Sequence, residues 1–245
     1  MAPALVTFAK FCLGQDTTYL LPFGFVLPFD PLNHWVRYIA VYSFQVYSMF
    51  HFVYVFIGTQ TLMVTLCAFL TAEFGLLQHD FVHVNLEPEQ NHSTIKDCVR
   101  KHQLLLSYTD MFNDIFNKML FIDLLFVSLT VCFFAFAATV AKGILELVNN
   151  FVAVIALLLP TLIFCYYGEQ LKEESAGIAD SAYNSKWNIA NLKYRKSIIF
   201  IIKRAQKPSC LMSLGYVPVT LHTFSRVVST AWSYFSLIRS VYKDI

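Results

Sequence analysis

Four long apolar stretches constrain this chain more than any other feature of its sequence. A helix needs about 20 predominantly apolar residues to cross a bilayer, and each stretch reaches that length. Lipid cannot satisfy backbone N–H and C=O groups, so each stretch is predicted to form an internally bonded helix. A composition of 57% hydrophobic and 14% charged residues agrees. The predicted fold class is an all-α integral membrane protein with four transmembrane helices, at Tyr42 to Leu70, Met119 to Ala141, Val148 to Tyr167 and Pro218 to Val241.

The Lys and Arg residues are concentrated in two of the segments that connect these spans. Four lie between the first and second spans and eight between the third and the last, whereas the link between the middle spans has one. Because basic loops stay in the cytoplasm, these two segments are predicted to be inside. The start of the chain and residues 242–245 are then extracellular. The net charge of +2 gives no indication of a nucleic acid partner.

Three of the apolar patterns continue beyond the width of a bilayer. The first runs to about Val84, residues 94–117 lead into the second span with helical spacing, and the third continues through Glu174. Residues 189–204 form a further amphipathic pattern. Such extensions need one another to bury their apolar faces, which predicts a helical bundle in the cytoplasm.

Turn residues separate these helical segments. Three prolines among alternating aromatic residues between positions 19 and 35 indicate an extracellular loop, and Pro208, Gly215 and Pro218 mark a break before the last span. The predicted segments are an extracellular loop region (1–37), the first span with its cytoplasmic extension (38–84), a cytoplasmic helix and second span (85–141), a short extracellular link (142–147), the third span with its extension (148–175), a cytoplasmic anchor helix and break (176–217), and the last span with an extracellular C-terminus (218–245).

The last span carries a stripe of serines, which we call the serine stripe. Steps of three or four residues place the stripe on one helix face, where it needs a partner helix or water, since lipid offers no hydrogen bonds. Packed helices need only one or two hydroxyls, so a repeat over five turns favours an aqueous path, with helix packing as the alternative. Leu237 and Val241 lie on or beside this face, where an apolar ring can close a pore by dewetting. The stripe is Ser225, Ser229, Ser233, Ser236 and Ser240.

The sequence offers no catalytic constellation: it has no nucleophile paired with a base, no phosphate-binding loop and no paired acids in a predicted pocket. We therefore predict that the protein is not an enzyme and needs no cofactor. His79 and His83 imitate a metalloprotease helix, but the Glu base and a third ligand are missing, which favours surface histidines over a metal site. Asp123 lies inside the second span near its cytoplasmic edge, where a structural contact with headgroups is favoured over a functional role.

The outer part of the first span has a polar and aromatic side. It includes Gln45, Tyr47, Ser48, His51 and Tyr54, set among Met49, Phe50 and Val53. Mostly apolar walls with a few polar groups are typical of a small-molecule pocket. Helix packing is an equally consistent interpretation.

The C-terminal part resembles the insect odorant-receptor family. The motifs that carry the resemblance include Cys165 to Leu171, Glu174-Ser175, Tyr194 to Ile198, Arg204 to Pro208 and Ser233 to Leu237, and a weaker match continues upstream through Leu27 to Asp30. Members have seven spans, a cytoplasmic N-terminus and an extracellular C-terminus, which agrees with the orientation derived from the basic loops. The four spans here would be the fourth to seventh, so the resemblance implies a chain that is N-terminally incomplete relative to the family.

The resemblance implies a subunit of an odorant-gated, non-selective cation channel in the plasma membrane. Its partners would be a shared odorant co-receptor subunit in a heterotetramer, membrane lipids and a small volatile organic ligand. The last helix would line the pore with Ser229 and Ser233, Leu237 would be the gate, and Val241 would follow one turn outward. The helical extensions would form the anchor between subunits.

In this family the odorant pocket lies in the outer half of the membrane between the second, third, fourth and sixth spans, of which this chain supplies two. Two rival functions remain. A metabotropic chemoreceptor is disfavoured by the outward C-terminus, and a non-conducting scaffold or transporter subunit would require interrupted middle spans. The candidate ligand-binding residues are Gln45, Met49, Phe50 and Val53 from one helix and Phe151, Val152 and Ile155 from the other.

Overall fold

Helices account for nearly all of the residues that a computed structural model describes, which are 35–83, 91–141, 143–185, 187–190 and 192–243. They are α1 (Trp35–Val82), α2 (Asn91–Val140), α3 (Ile144–Asn184), a 3₁₀ turn (Trp187–Ile189), α4 (Leu192–Ala205) and α5 (Leu221–Lys243). Two short antiparallel strands, β1 (Met212–Ser213) and β2 (Val217–Pro218), precede α5. The protein divides into two compact units, Met1–Thr61 and Leu62–Ile245. The predicted loop at 19–35 and the polar break after Val84 lie largely outside the described residues.

Three helices, α1, α2 and α3, are long and apolar enough to cross a membrane. This confirms the all-α membrane class. Within the described residues α5 does not reach the same apolar threshold, because its serines, Arg226 and Arg239 interrupt its 23 residues. A fourth membrane span at α5 therefore stays a prediction.

The three apolar helices are much longer than a bilayer requires. Helix α1 has 48 residues, or about 72 Å at 1.5 Å per residue, against a hydrocarbon core of about 30 Å. Helix α3 continues to Asn184, past the predicted segment end at residue 175. It does so because Leu171, Ile178 and Ala182 extend one apolar stripe that is completely buried.

The extensions pack together into what we call the helix bundle, comprising residues 71–82 of α1, 95–116 of α2, 168–184 of α3 and all of α4. All four helices contribute to one apolar core, as their amphipathic patterns predict. Its buried side chains include Phe74, Leu77 and Phe81 from α1, Leu105 and Phe112 from α2, Leu171 and Ile178 from α3, and Ile198 from α4.

Polar side chains set the register between the bundle helices. The Nζ atom of Lys101 in α2 lies 3.4 Å from the Glu73 carboxylate and 3.7 Å from the Asp80 carboxylate of α1. The Gln78 amide of α1 donates to the backbone oxygen of Glu174 at 2.8 Å, and its own oxygen accepts from Ser181 at 3.3 Å. These hydrogen bonds satisfy a partly buried amide between α1 and α3.

One buried histidine makes the bundle sensitive to pH. His102 of α2 is 4% exposed and lies 17 residues before Met119, where the predicted second span begins, which is about 25 Å along the helix. Its ring stands edge-on to Phe74 at 6.5 Å, and its Nε2 atom has no hydrogen-bond partner among the described residues. Burial, and secondarily the positive charge of Arg204, lower the pKa of the His102 imidazole to about 4.

Acidification is therefore expected to destabilise the helix bundle. The unfolded chain gains a proton on His102 below about pH 6.5 and the folded chain only near pH 4, so stability falls as pH decreases through this interval. The expected loss at pH 5 is about 2 kcal/mol of unfolding free energy. Thermal unfolding of the detergent-solubilised protein at pH 7 and pH 5 measures it. The variant His102→Leu should lose this fall in stability between pH 7 and pH 5, whereas His222→Gln, at an exposed position, should retain it. An unchanged pH response in His102→Leu would contradict the assignment of the effect to His102.

Candidate ion pathway and ligand pocket

Helix α5 has one packed face, formed by four residues at steps of four: Thr223, Val227, Ala231 and Phe235. This face contacts α2 and α3 through a small apolar cluster. Leu124, Val127 and Val131 come from α2, and Val154, Leu157 and Leu158 come from α3. At the C-terminal end of α5 the Tyr242 ring meets Phe136 of α2 edge-on, with ring centroids 5.4 Å apart. Contacts along both helices therefore fix the rotation of α5 about its own axis.

The serine stripe lies on the opposite side of α5 and is exposed along its whole length. Ser229 and Ser233 are each two residues from Ala231, which places them about 160° around the axis from it. Three of the hydroxyls donate to backbone oxygens of their own helix, including Ser233 to Ser229 at 3.0 Å and Ser236 to Trp232 at 2.9 Å. The stripe therefore does not join the helices of this chain to one another. Its oxygen atoms remain available as acceptors on an open face.

Leu237 and Val241 continue the open face of α5 toward its end. They are 62% and 55% exposed, while Phe235, two residues before Leu237, is buried in the packed face. Trp232, one residue before Ser233, is also exposed. All four predicted pore residues, Ser229, Ser233, Leu237 and Val241, are thus exposed on α5.

The linker between α4 and α5, residues 206–220, forms a hairpin at the break that three turn residues predicted. The amide of Asn113 in α2 clamps the linker: its Nδ2 donates to the Cys210 oxygen at 3.0 Å and its Oδ1 accepts from the Met212 N–H at 2.9 Å. At the hairpin turn, Leu214 and Gly215 have φ values of 51° and 74°. The turn thus holds a leucine in the left-handed region, where an L-residue costs about 1 kcal/mol.

The same linker packs closely against α3. A Cβ atom on Gly168 would overlap the Val219 backbone oxygen, so only glycine permits this approach. The Val219 N–H donates to Leu211 at 2.9 Å, and both of these side chains are fully buried. The base of α5 is thereby held by α2 on one side and by α3 on the other.

The candidate ligand residues of α1 belong to the first compact unit. Gln45 is buried, whereas Met49, Phe50 and Val53 are exposed. The open cleft on this unit, about 310 Å³ in volume, is lined by other side chains of α1, namely Tyr47, Ser48, His51, Phe52 and Val55. Val53 is two residues from His51 and so points about 160° away from it.

The cleft corresponds to the polar and aromatic side of the first span that the sequence reveals. Tyr47, Ser48 and His51 belong to that side, while Phe52 and Val55 complete the lining at helical steps. The signal in the sequence for this lining is the mixture of aromatic and polar side chains. All five side chains come from one face of a single helix, so the cleft is open along its length.

The candidate ligand residues of α3 belong to the second compact unit. Phe151, Val152 and Ile155 are all exposed near the start of α3. Such a run of exposed apolar side chains suits contact with lipid or with an apolar ligand. The assignment of these residues to a pocket stays a prediction.

The two histidines at the end of α1 stack on each other. The ring centroids of His79 and His83 are 4.0 Å apart, and the His83 Nδ1 atom lies 3.0 Å from the His79 backbone oxygen. Within the described ranges no three His, Cys, Asp or Glu side chains converge as metal ligands.

Comparison with known proteins places this geometry in a family. The chain is 26% identical to putative odorant receptor 92a of Drosophila melanogaster over 98% of its length and 25% identical to odorant receptor 85b of the same species over 96%. It spans 60% and 64% of these two relatives. Its fold is similar to that of olfactory receptor OR5 from Machilis hrabei in complex with eugenol, with a TM-score of 0.83, 16% identity, and coverage of 98% of this chain and 61% of that one.

The family model described as 7tm Odorant receptor matches residues 1–232. This match includes most of the motifs on which the sequence resemblance was based, and it confirms that resemblance. Together with three helices that can cross a membrane, the match identifies a multi-pass receptor rather than an enzyme. The chain belongs to the 7tm odorant receptor family.

Proposed function

We propose that the chain supplies the fourth to seventh spans of an odorant-gated, non-selective cation channel subunit, in which α5 lines the pore. The two faces of α5 carry the proposal. The face from Thr223 to Phe235 is packed against α2 and α3, while the serine stripe, Leu237 and Val241 are exposed. A helix that was only embedded in lipid would not need a continuous row of hydroxyls on its open side.

The chemistry of the open face suits cation permeation. The hydroxyls of Ser233, Ser236 and Ser240 donate their protons back to the helix, so their lone pairs can face an ion or its water shell. Leu237 offers no such acceptor and closes the path by dewetting when several subunits bring it to a common axis. An odorant that contacts the open state better than the closed state then shifts the population toward conduction.

The proposed topology places the helix bundle in the cytoplasm and the C-terminus outside the plasma membrane. Basic residues between 172 and 207 support this orientation. Ile199 and Phe200 of α4 are 62% and 73% exposed, which suits a contact with other subunits in a heterotetramer with a shared co-receptor. The bundle is then the anchor of the assembly.

The proposed ligand is a small volatile organic molecule. The Machilis hrabei receptor is described in complex with eugenol, and this chain matches its fold. Gln45, Met49, Phe50 and Val53 of α1, with Phe151, Val152 and Ile155 of α3, are our candidate contacts. The cleft beside His51 is a second candidate surface on α1.

Cysteine substitution tests the pore assignment. In a full-length receptor that carries this segment, co-expressed with the co-receptor, water-soluble thiol reagents should alter odorant-evoked current through Ser233→Cys, Leu237→Cys and Val241→Cys. The expected reduction is about tenfold at Leu237, since an adduct at the narrow apolar constriction occupies the space through which the ions pass. Whole-cell recording before and after reagent measures the effect.

Positions outside the proposed pore face provide the controls. Phe235 is buried in the packed face of α5, and Trp232 precedes Ser233 by one residue, about 100° around the helix from it. Cysteine at either position should leave the current unchanged on reagent addition. Modification effects at Trp232 and Phe235, with none at the three pore positions, would reject the assigned face.

A further inference from the structure

Arg226 lies on the open face of α5, near the end where the helix begins. It is exposed, and it precedes Ser233 by seven residues and Leu237 by eleven. At 100° per residue these separations place Arg226 within about 20° of both side chains around the helix axis. Along the axis it lies about 16 Å from Leu237, which is the cytoplasmic side of the gate in the proposed topology.

The charges on α5 are all positive. Between residues 221 and 243 the helix has Arg226, Arg239 and Lys243 and no Asp or Glu. Cation channels usually attract their ions with rings of acidic side chains, and basic rings favour anions. Arg239 lies about 140° around the helix from Arg226, away from Ser233 and Leu237. Arg226 follows the buried Thr223 by three residues but is itself exposed. Arg226 is therefore the charged residue that the geometry aligns with the serine stripe and the gate.

From this placement we propose that Arg226 is an electrostatic barrier at the cytoplasmic end of the pore, which lowers the passage of divalent cations more than that of monovalent ones. The proposal rests on the proposed pore function of α5. Repulsion scales with the charge of the ion, so it acts twice as strongly on Ca²⁺ as on Na⁺. Screening limits it to roughly 8 Å at physiological salt, so only ions inside a narrow path experience it.

Each copy of this chain adds one such charge to the pore. A tetramer that contains fewer copies has a weaker barrier, and the permeability to Ca²⁺ relative to Na⁺ depends on the number of copies. In a water-filled mouth with low-dielectric walls the field of fixed charges is focused on the permeating ions. Arg226 is thus a residue that determines selectivity between cations without contacting the odorant.

The charge at this position can be varied in one folded channel. In inside-out patches holding the full-length receptor and its co-receptor, Arg226→Cys is treated from the cytoplasmic side with an anionic or a cationic thiol reagent. Removal of one unit charge roughly 6 Å from the ion should raise the Ca²⁺/Na⁺ permeability ratio about twofold when screening is included. The anionic adduct should raise the ratio further, and the cationic adduct should restore it toward that of the unsubstituted receptor. Reversal potentials in Ca²⁺ and Na⁺ solutions provide the ratio.

Two variants separate charge from other effects. Arg226→Lys keeps the charge and should keep the ratio, and Arg239→Cys, on another side of α5, should show no difference between the two reagents. Equal effects of both adducts at Arg226 would overturn the barrier, even if Leu237→Cys still responds to reagent and preserves the pore assignment. Silence at Arg226, Ser233 and Leu237 alike would reject both the barrier and the pore function of α5.

Discussion

Replacing Gly168 with alanine should lower the unfolding free energy by about 2 kcal/mol, although alanine forms helices better than glycine by about 1 kcal/mol. The added methyl group would overlap the backbone oxygen of Val219. Neither backbone can easily move, since Gly168 is within α3 and the Val219 N–H is bonded to Leu211. Relief of the overlap requires the linker to separate from α3 and displaces the start of α5.

Thermal unfolding of the solubilised receptor and odorant-evoked current together measure the effect of Gly168→Ala. Both the melting temperature and the current should fall, because the linker connects the helix bundle to the proposed pore helix. Gly58→Ala is the matched control. Gly58 is also inside a helix, but no atom lies within 4 Å of its added methyl group, so alanine should be neutral or slightly stabilising there. Equal loss in the two variants would mean that helix propensity or expression, rather than the contact with Val219, explains the result.

The sequence predicts the helices of this protein well, because their signals are local. Long apolar runs specify the spans, and continued spacing beyond them, as at Leu171 and Ile178, specifies the bundle. Helix α3 ends nine residues, or about two and a half turns, after the predicted segment end at residue 175. The residues after Glu174 are mostly small or polar, and only buried positions such as Ile178 and Ala182 continue the apolar stripe. Propensity alone does not determine where such a helix ends.

The two faces of α5 show what helical spacing can and cannot predict. The helical repeat of 3.6 residues correctly groups the serines on one side of α5. The packed side contains Thr223 and Ala231, however, and the hydropathy of these residues does not distinguish that side from the open one. The packing against α2 and α3 determines the rotation. Spacing alone therefore does not single out Arg226, because its place on the open face depends on which side of α5 is packed.

The linker could be predicted only as a break. Pro208, Gly215 and Pro218 indicate turns, yet the bond partners Asn113 and Gly168 are distant in sequence and carry no local signal. Contacts between distant residues decide these features.

Asn113→Ala should destabilise the linker by about 2 to 3 kcal/mol, because one side chain satisfies both a backbone oxygen and a backbone N–H. Its loss leaves the Cys210 oxygen and the Met212 N–H without these partners in a partly buried position, and each unsatisfied group costs about 1 kcal/mol or more. We expect a lower melting temperature and a smaller maximal odorant response, since the linker is the direct covalent connection from α4 to α5.

Asn117→Ala isolates the contribution of this side-chain clamp. Asn117 also faces the linker, but it accepts from the Leu214 N–H through its backbone oxygen, which alanine retains. The two substitutions remove the same amide from the same helix, four residues apart, so helix propensity and bulk solubility change alike. Only Asn113→Ala should therefore shift the melting temperature and reduce the response. If Asn117→Ala has an equal effect, the stability of α2 itself, and not the amide clamp on the linker, controls the connection to the proposed pore helix.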